Sequence, residues 1–108
     1  EEAREGGRDV VVGRAHYRDN ARGRMLGDDR GLLKAIFDRR TRALIGVSVV
    51  GEDATELVHL GQQAIASGHG MQHLIETCFN YPSLTELYKV AAFDALAALA
   101  APAVKRAA

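Results

Sequence analysis

Apolar residues in the first fifty positions gather into three short runs. Residues 10–17 (VVVGRAHY) start on β-branched side chains, and residues 31–37 (GLLKAIF) are apolar on both faces except at Lys34. Residues 43–50 (ALIGVSVV) are again rich in branched side chains and stop at Gly51. Runs of this length and composition predict strands, in a sheet covered mainly on one side. Asp38, Arg39, Arg40 and Thr41 form a polar gap of turn length between the second and third runs, which predicts a hairpin. Residues 19–29 are charged and contain Gly23 and Gly27, and they read as a loop or an irregular strand end.

The period changes at Asp53. Ala54, Leu57, Val58, Gly61, Ala64, Ile65 and Gly68 recur at spacings of three and four, which places them on one face of an amphipathic helix. Asp53 and Glu56 resemble a capping pair, and Gly68 is a natural stop. Gly61 costs about 1 kcal/mol of helix propensity, so it is expected to admit a neighbouring backbone. Met71, Leu74, Ile75 and Cys78 repeat the spacing over a second, brief helix, with Cys78 buried.

A third helix is expected to start sharply at Ser83. Pro82 keeps Tyr81 out of the α region, and Ser83 with Glu86 makes a Ser-x-x-Glu capping box. The helix should run to about Leu99. Leu84, Leu87, Ala91, Ala95 and Ala98 line one side, while Tyr88, Ala92, Phe93 and Leu96 occupy another. That apolar surface is wider than one small sheet needs, and the excess predicts a partner. Strands followed by helices in blocks define an α+β fold, an antiparallel β-sheet with helices packed on one face. Residues 1–9 are expected to be a linker, 10–99 the folded domain, and 100–108 a frayed tail.

Composition narrows the function. A chain of 108 residues suits one compact domain. Lys plus Arg and Asp plus Glu both number 14, so the overall cationic field that nonspecific nucleic-acid or anionic-membrane binding draws on is missing. The single cysteine cannot close an internal disulfide, and a reducing cytoplasm is the expected location. The most apolar stretch, 90–104, contains Asp94 and Pro102 and falls short of the roughly 20 apolar residues of a spanning helix. Residues 1–9 are charged and Gly-rich, unlike a secretory signal, and the chain, which opens on Glu1 rather than Met, is read as a piece of a longer protein.

Most chemical readings fail on spacing. There is no G-x-G-x-x-G, Walker sequence, C-x-x-C or G-x-S-x-G. His69, His73 and Glu76 stand at ligand-like intervals, but Gly70 and a helix start intervene, so two ordinary surface histidines are preferred to a metal site. His59, three residues after Glu56, could serve as an oriented base; a boundary histidine bonded to a neighbour is the preferred reading. Residues 14–42 hold nine basic and four acidic residues. Tyr17 and Phe37 are the only candidates there for base stacking, and Phe37 belongs to the core by the strand pattern. A solvated surface, or cations facing an acidic surface in an assembly, is favoured. A free-standing ligand-binding domain built on His59 or Glu86 would need a concave pocket uniting them.

The segment Thr77-Cys78-Phe79-Asn80-Tyr81-Pro82-Ser83-Leu84-Thr85-Glu86 is more informative, because an X-Pro turn and a capped helix hold Tyr81 and Glu86 in a fixed relation. With the preceding LLKAIFDRRTRALIGVSVVG and EDATELVHLG, it resembles the C-terminal dimerisation domain of the pyridine nucleotide-disulfide oxidoreductase flavoproteins, over residues 10–99. In disulfide-reducing members the residue before the motif proline is a histidine, paired with a glutamate five positions on. Here Tyr81 takes the histidine's place while Glu86 keeps the carboxylate. A phenol with a reference pKa near 10 is a poor substitute for imidazole near neutrality, so thiol acid–base chemistry is put in doubt. FNYPSLTE followed by YKVAA is similar to the soluble pyridine nucleotide transhydrogenases of that family, which move hydride between NAD(H) and NADP(H) through FAD.

The resemblance implies a homodimer in which Tyr81 and Pro82 lie near the partner subunit's FAD, with Glu86 as cap and support. It further implies FAD and nicotinamide domains elsewhere in the parent protein, and an isolated piece without catalytic residues or activity. The alternative within the family is a dihydrolipoamide dehydrogenase-like disulfide reductase.

Overall fold

The structure is a computed structural model that describes residues 9–100. Of the residues assigned above to the linker and the tail, only Asp9 and Ala100 are described, and Ala100 closes the last helix instead of belonging to a frayed tail. Three strands, β1 (Val10–His16), β2 (Leu32–Asp38) and β3 (Leu44–Val50), form an antiparallel sheet in that order. The helices are α1 (Ala21–Leu26), α2 (Ala54–Ala66), α3 (Met71–Glu76) and α4 (Glu86–Ala100). The fold is α+β, as the block pattern predicts.

The β2–β3 hairpin follows the predicted turn. Asp38 Oδ1 accepts the Arg40 and Thr41 amides, both at 2.9 Å, and Arg42 closes the turn in the left-handed region at φ 66°. Register then skips Ile45, because Ile36 faces Gly46 while Phe37 faces Leu44. The helix-covered side of the sheet carries Val11, Ala15, Leu33, Ala35, Phe37 and Leu44, all buried. Helix α4 lies across β1 and β2 on that side, and α2 packs on β3.

Contact between α4 and β1 is unusually close. A Cβ at Gly13 would stand 1.9 Å from the Ala91 carbonyl oxygen, so only glycine lets the helix backbone sit on the strand. Small residues on the helix match it: Ala91, Ala92 and Ala95 are fully buried. The Asp94 carboxylate then accepts the Arg14 amide at 2.8 Å.

Several local expectations are corrected. The stretch 19–29 is not a loop: a 3₁₀ turn (Tyr17–Asp19) leads into α1, whose N-cap Asn20 accepts the Gly23 amide and whose C-cap Gly27 is left-handed at φ 77°. Asp53 stands at the N-cap of α2 without capping it, because its backbone is left-handed (φ 59°) and its side chain accepts nothing from the helix. Gly68 does take the left-handed conformation, at φ 74°. Ile65 lies off the buried stripe of Leu57, Gly61 and Ala64 and is exposed. Side chains rather than a backbone crowd Gly61: a Cβ there would lie 2.5 Å from Val47 Cγ2 and 2.9 Å from the Tyr88 hydroxyl. Cys78 is exposed, because α3 ends at Glu76 and Thr77 is already extended, which breaks the helical spacing that grouped Cys78 with Leu74.

Candidate functional site

The FNYPS segment links α3 to α4. The Tyr81–Pro82 peptide is cis, and Tyr81 projects into solvent at 76% exposure. Helix α4 starts three residues later than predicted. Ser83 Oγ accepts the Thr85 amide at 3.1 Å, and the Glu86, Leu87 and Tyr88 amides reach back three residues to the carbonyls of Ser83, Leu84 and Thr85. A tight lead-in turn thus takes the place of the capping box. Among the described residues the Glu86 carboxylate has no hydrogen-bond partner, so it caps nothing. Beside it lies a cleft of about 140 Å³ whose lining includes His16, Asp19, Asn20, Tyr81, Glu86 and Val90. Tyr81 and Glu86 therefore do share a site, while His59 lies elsewhere.

Asn20 escaped the sequence reading and is central to this geometry. Its side chain is buried, donates to the Ser83 carbonyl at 3.1 Å and accepts the Gly23 amide at 2.9 Å. An asparagine followed by seven residues ending in glycine was the available signal of a short capped helix.

The histidines do not assemble into a chemical centre. His59 is exposed and bonds Gln62 at 3.2 Å rather than Glu56. The His69 and His73 rings stack with centroids 3.8 Å apart and planes 11° from parallel, and Glu76 accepts from Gln72 at 2.8 Å. Among the described residues no group of three His, Cys, Asp or Glu could hold a metal ion. His59, His69 and His73 border a groove of about 490 Å³ with Leu74 and Phe79, which does not include Glu86.

Two buried tyrosines serve the scaffold. Tyr88 O–H donates to the Leu57 carbonyl while its oxygen accepts the Gly61 amide at 3.0 Å, and burial raises its pKa. These bonds fasten α4 to α2. Tyr17 O–H donates to the Glu52 carbonyl at 2.7 Å; burial, reinforced by Asp28, Asp53 and Glu52, pushes its pKa up to about 12. Asp28 accepts the Glu52, Gly31 and Arg30 amides, and the Glu52 bond above all lowers its pKa. Because Tyr17 and Phe37 are both fully buried, neither aromatic of the basic region is available for stacking. Arg14, Arg18, Arg22, Arg24, Arg30, Arg40 and Arg42 are exposed, whereas Arg39 pairs with Asp9 at 3.0 Å.

The apolar excess of α4 is smaller than its sequence suggests, and of the two predicted faces Phe93 is the large side chain left half exposed. Leu87, Tyr88, Ala91, Ala92 and Ala95 are all buried within this chain, so both predicted faces are largely covered from inside. The uncovered apolar positions are Val90 (48% exposed), Phe93 (50%), Ala97 and Ala100, at spacings of three and four. Val90 also borders the Tyr81 cleft, which makes strip and turn continuous.

Whether this surface suits a dinucleotide can be read from its charges. A groove of about 570 Å³ that Pro82 also lines carries Arg22 together with Asp53 and Glu56, the last two at the start of α2. Carboxylates at a helix N-terminus repel the phosphates such a terminus would otherwise attract. Tyr81 and Pro82 both present exposed ring surface, while the acidic groove does not fit a pyrophosphate.

The fold matches a known class of module. The model of the pyridine nucleotide-disulphide oxidoreductase dimerisation domain matches residues 1–92, and the chain belongs to this family. Within it, 85 residues are 42% identical to a soluble pyridine nucleotide transhydrogenase of Mycobacterium bovis (strain BCG / Pasteur 1173P2), covering 79% of this chain and 18% of that one. A soluble pyridine nucleotide transhydrogenase of Yersinia pestis (strain Pestoides F) is 39% identical over 88 residues, covering 79% and 19%. The chain thus spans less than a fifth of the length of these relatives. Among solved structures, the HOCl-induced flavoprotein disulfide reductase RclA from Escherichia coli, as its Cu(II) complex, superposes with TM-score 0.79 at 29% identity, covering 85% of this chain and 21% of that one. LpdA from Mycobacterium tuberculosis gives 0.79 at 28%, covering 85% and 20%.

Proposed function

We propose that residues 10–99 are the homodimerisation domain of a soluble, cytoplasmic, FAD-dependent NAD(P) transhydrogenase. On this reading, Tyr81 and Pro82 complete the flavin site of the partner subunit. The observation that carries it is the exposure of Tyr81 beside the uncovered Val90–Phe93 strip, in a chain 42% identical to a soluble transhydrogenase. A tyrosine held away from its own core by a turn, next to an apolar strip, is placed to meet a second subunit.

The FAD that such a protein binds through its other domains relays hydride from one nicotinamide to another. Tyr81 would position that ring without relaying a proton, since a phenol is a weak base and a weak acid near neutrality. Glu86, half-buried and free of any cap, supports the turn from the cleft wall. Because the groove lined by Asp53, Glu56 and Pro82 does not suit a pyrophosphate, the isolated domain is expected to be inactive.

A second reading, the same domain in a disulfide reductase, draws on the similarity to RclA. The full-length protein separates the two. It should transfer hydride from NADPH to an NAD⁺ analogue and fail to reduce lipoamide or glutathione disulfide; the reverse pattern would reject the transhydrogenase. Tyr81→Phe should slow hydride transfer no more than about tenfold, the scale of one neutral hydrogen bond. A loss of several orders of magnitude with FAD content and dimer intact would show that the hydroxyl acts chemically.

A further inference from the structure

Tyr81 is too exposed for packing to aim it, so its direction depends on what holds the backbone of its turn. Among the described residues, one hydrogen bond ties residues 79–83 to an element outside the last helix and its lead-in: Asn20 Nδ2 to the Ser83 carbonyl, 3.1 Å. The donor is itself rigidly placed. Its Oδ1 accepts the Gly23 amide at 2.9 Å, its own amide donates to the Tyr17 carbonyl at 2.9 Å, and its carbonyl accepts the Arg24 amide at 3.0 Å. Tyr17 in turn is fully buried, and Gly23 packs so closely that a Cβ there would lie 2.2 Å from the Tyr17 carbonyl oxygen. Asn20 is only 7% exposed, on the wall of the cleft that Tyr81 also lines.

We infer that Asn20 is a positioning residue: α1 exists to present its amide to the Ser83 carbonyl and so to aim the Tyr81–Pro82 turn at the partner subunit. This rests on the reading of Tyr81 as a flavin contact. An amide serves both halves of the task from two separate atoms, offering an acceptor to the helix and a donor to the turn at once, whereas a serine has one shorter oxygen for both. An aspartate would cap α1 as well as asparagine but would turn a carboxylate oxygen toward the Ser83 carbonyl. A serine would cap the helix without bringing in a charge.

The test compares Asn20→Asp and Asn20→Ser in the full-length flavoenzyme, by amide hydrogen exchange and by turnover. Exchange at residues 79–85 should rise about tenfold in both variants, as for loss of one buried tether, while β1, β2 and β3 exchange as in wild type. Hydride-transfer kcat should fall about three- to tenfold with KM for both nicotinamide nucleotides unchanged, and the flavin absorption band should shift. Unchanged exchange at 79–85 overturns the inference. A uniform rise through the strands overturns it too, because Asn20 would then be a folding residue only. Local loosening with unchanged kcat and flavin spectrum would instead reject the flavin-contact reading of Tyr81, and with it the functional half of the inference.

Discussion

The two sides of helix α4 carry similar side chains and have opposite fates. On the inner side, Tyr88, Ala91, Ala92 and Ala95 are buried where the helix meets β1, β2 and α3, with Tyr88 bonded to α2. Val90 and Phe93, on the outer side, remain about half exposed. What separates them is shape, because the inner side is matched by glycine at two places, Gly13 beneath Ala91 and Gly61 beneath the Tyr88 hydroxyl, and nothing among the described residues is cut to fit the outer side. Apolar character alone therefore says little about which part of a helix serves the fold. A matched glycine says more.

The largest effect should come from closing that inner match. Gly13→Val would drive side-chain atoms into the Ala91 carbonyl and lever α4 off the sheet, costing about 3 kcal/mol or more, to be read from chemical denaturation. Tyr88→Phe removes the donor to Leu57 and strands the buried Gly61 amide, and should cost about 1–3 kcal/mol by the same measurement. Asp94→Ala, at the margin between the two sides, loses only the exposed bond from the Arg14 amide and should cost about 1 kcal/mol or less.

Titration sharpens the contrast, since packed methyl groups do not ionise. Asp28 has its folded pKa lowered by the Glu52, Gly31 and Arg30 amides, so its contribution is present above its ordinary value of 3.8 and is lost as pH falls through the lower folded value. Wild type should therefore lose stability more steeply than Asp28→Asn below about pH 4, with the Glu52 amide exchanging first.

The sequence made the strands and the α+β arrangement legible, since branched runs of seven or eight residues separated by a charged, Gly-containing connection and a short polar turn have few alternatives. Helix α1 was obscured because ARGRML has no apolar period, and its identity rests on its ends, Asn20 and Gly27, rather than on its middle. The boundary of α4 shifted because Ser83 Oγ satisfied the Thr85 amide and left the tight lead-in turn to start the helix. At the candidate site, Tyr81, Pro82 and Glu86 could be picked out through an X-Pro turn and a family resemblance. Asn20 could not, as its partner is a backbone carbonyl 63 residues away and no local pattern announces such a bond. The surplus on α4 was overstated because side-chain periodicity does not show how closely a glycine-bearing strand can approach.

Val90→Ser with Phe93→Ser leaves the inner side untouched and should change the stability of the folded unit by no more than about 0.5 kcal/mol. Sedimentation equilibrium of the 108-residue chain and of this double variant at high micromolar concentration therefore tests the outer side by itself. The account predicts a reversible dimer for the wild-type chain and a folded monomer for the variant. A wild-type chain that stays monomeric with α4 fully helical, or a variant that dimerises as tightly as wild type, would contradict it.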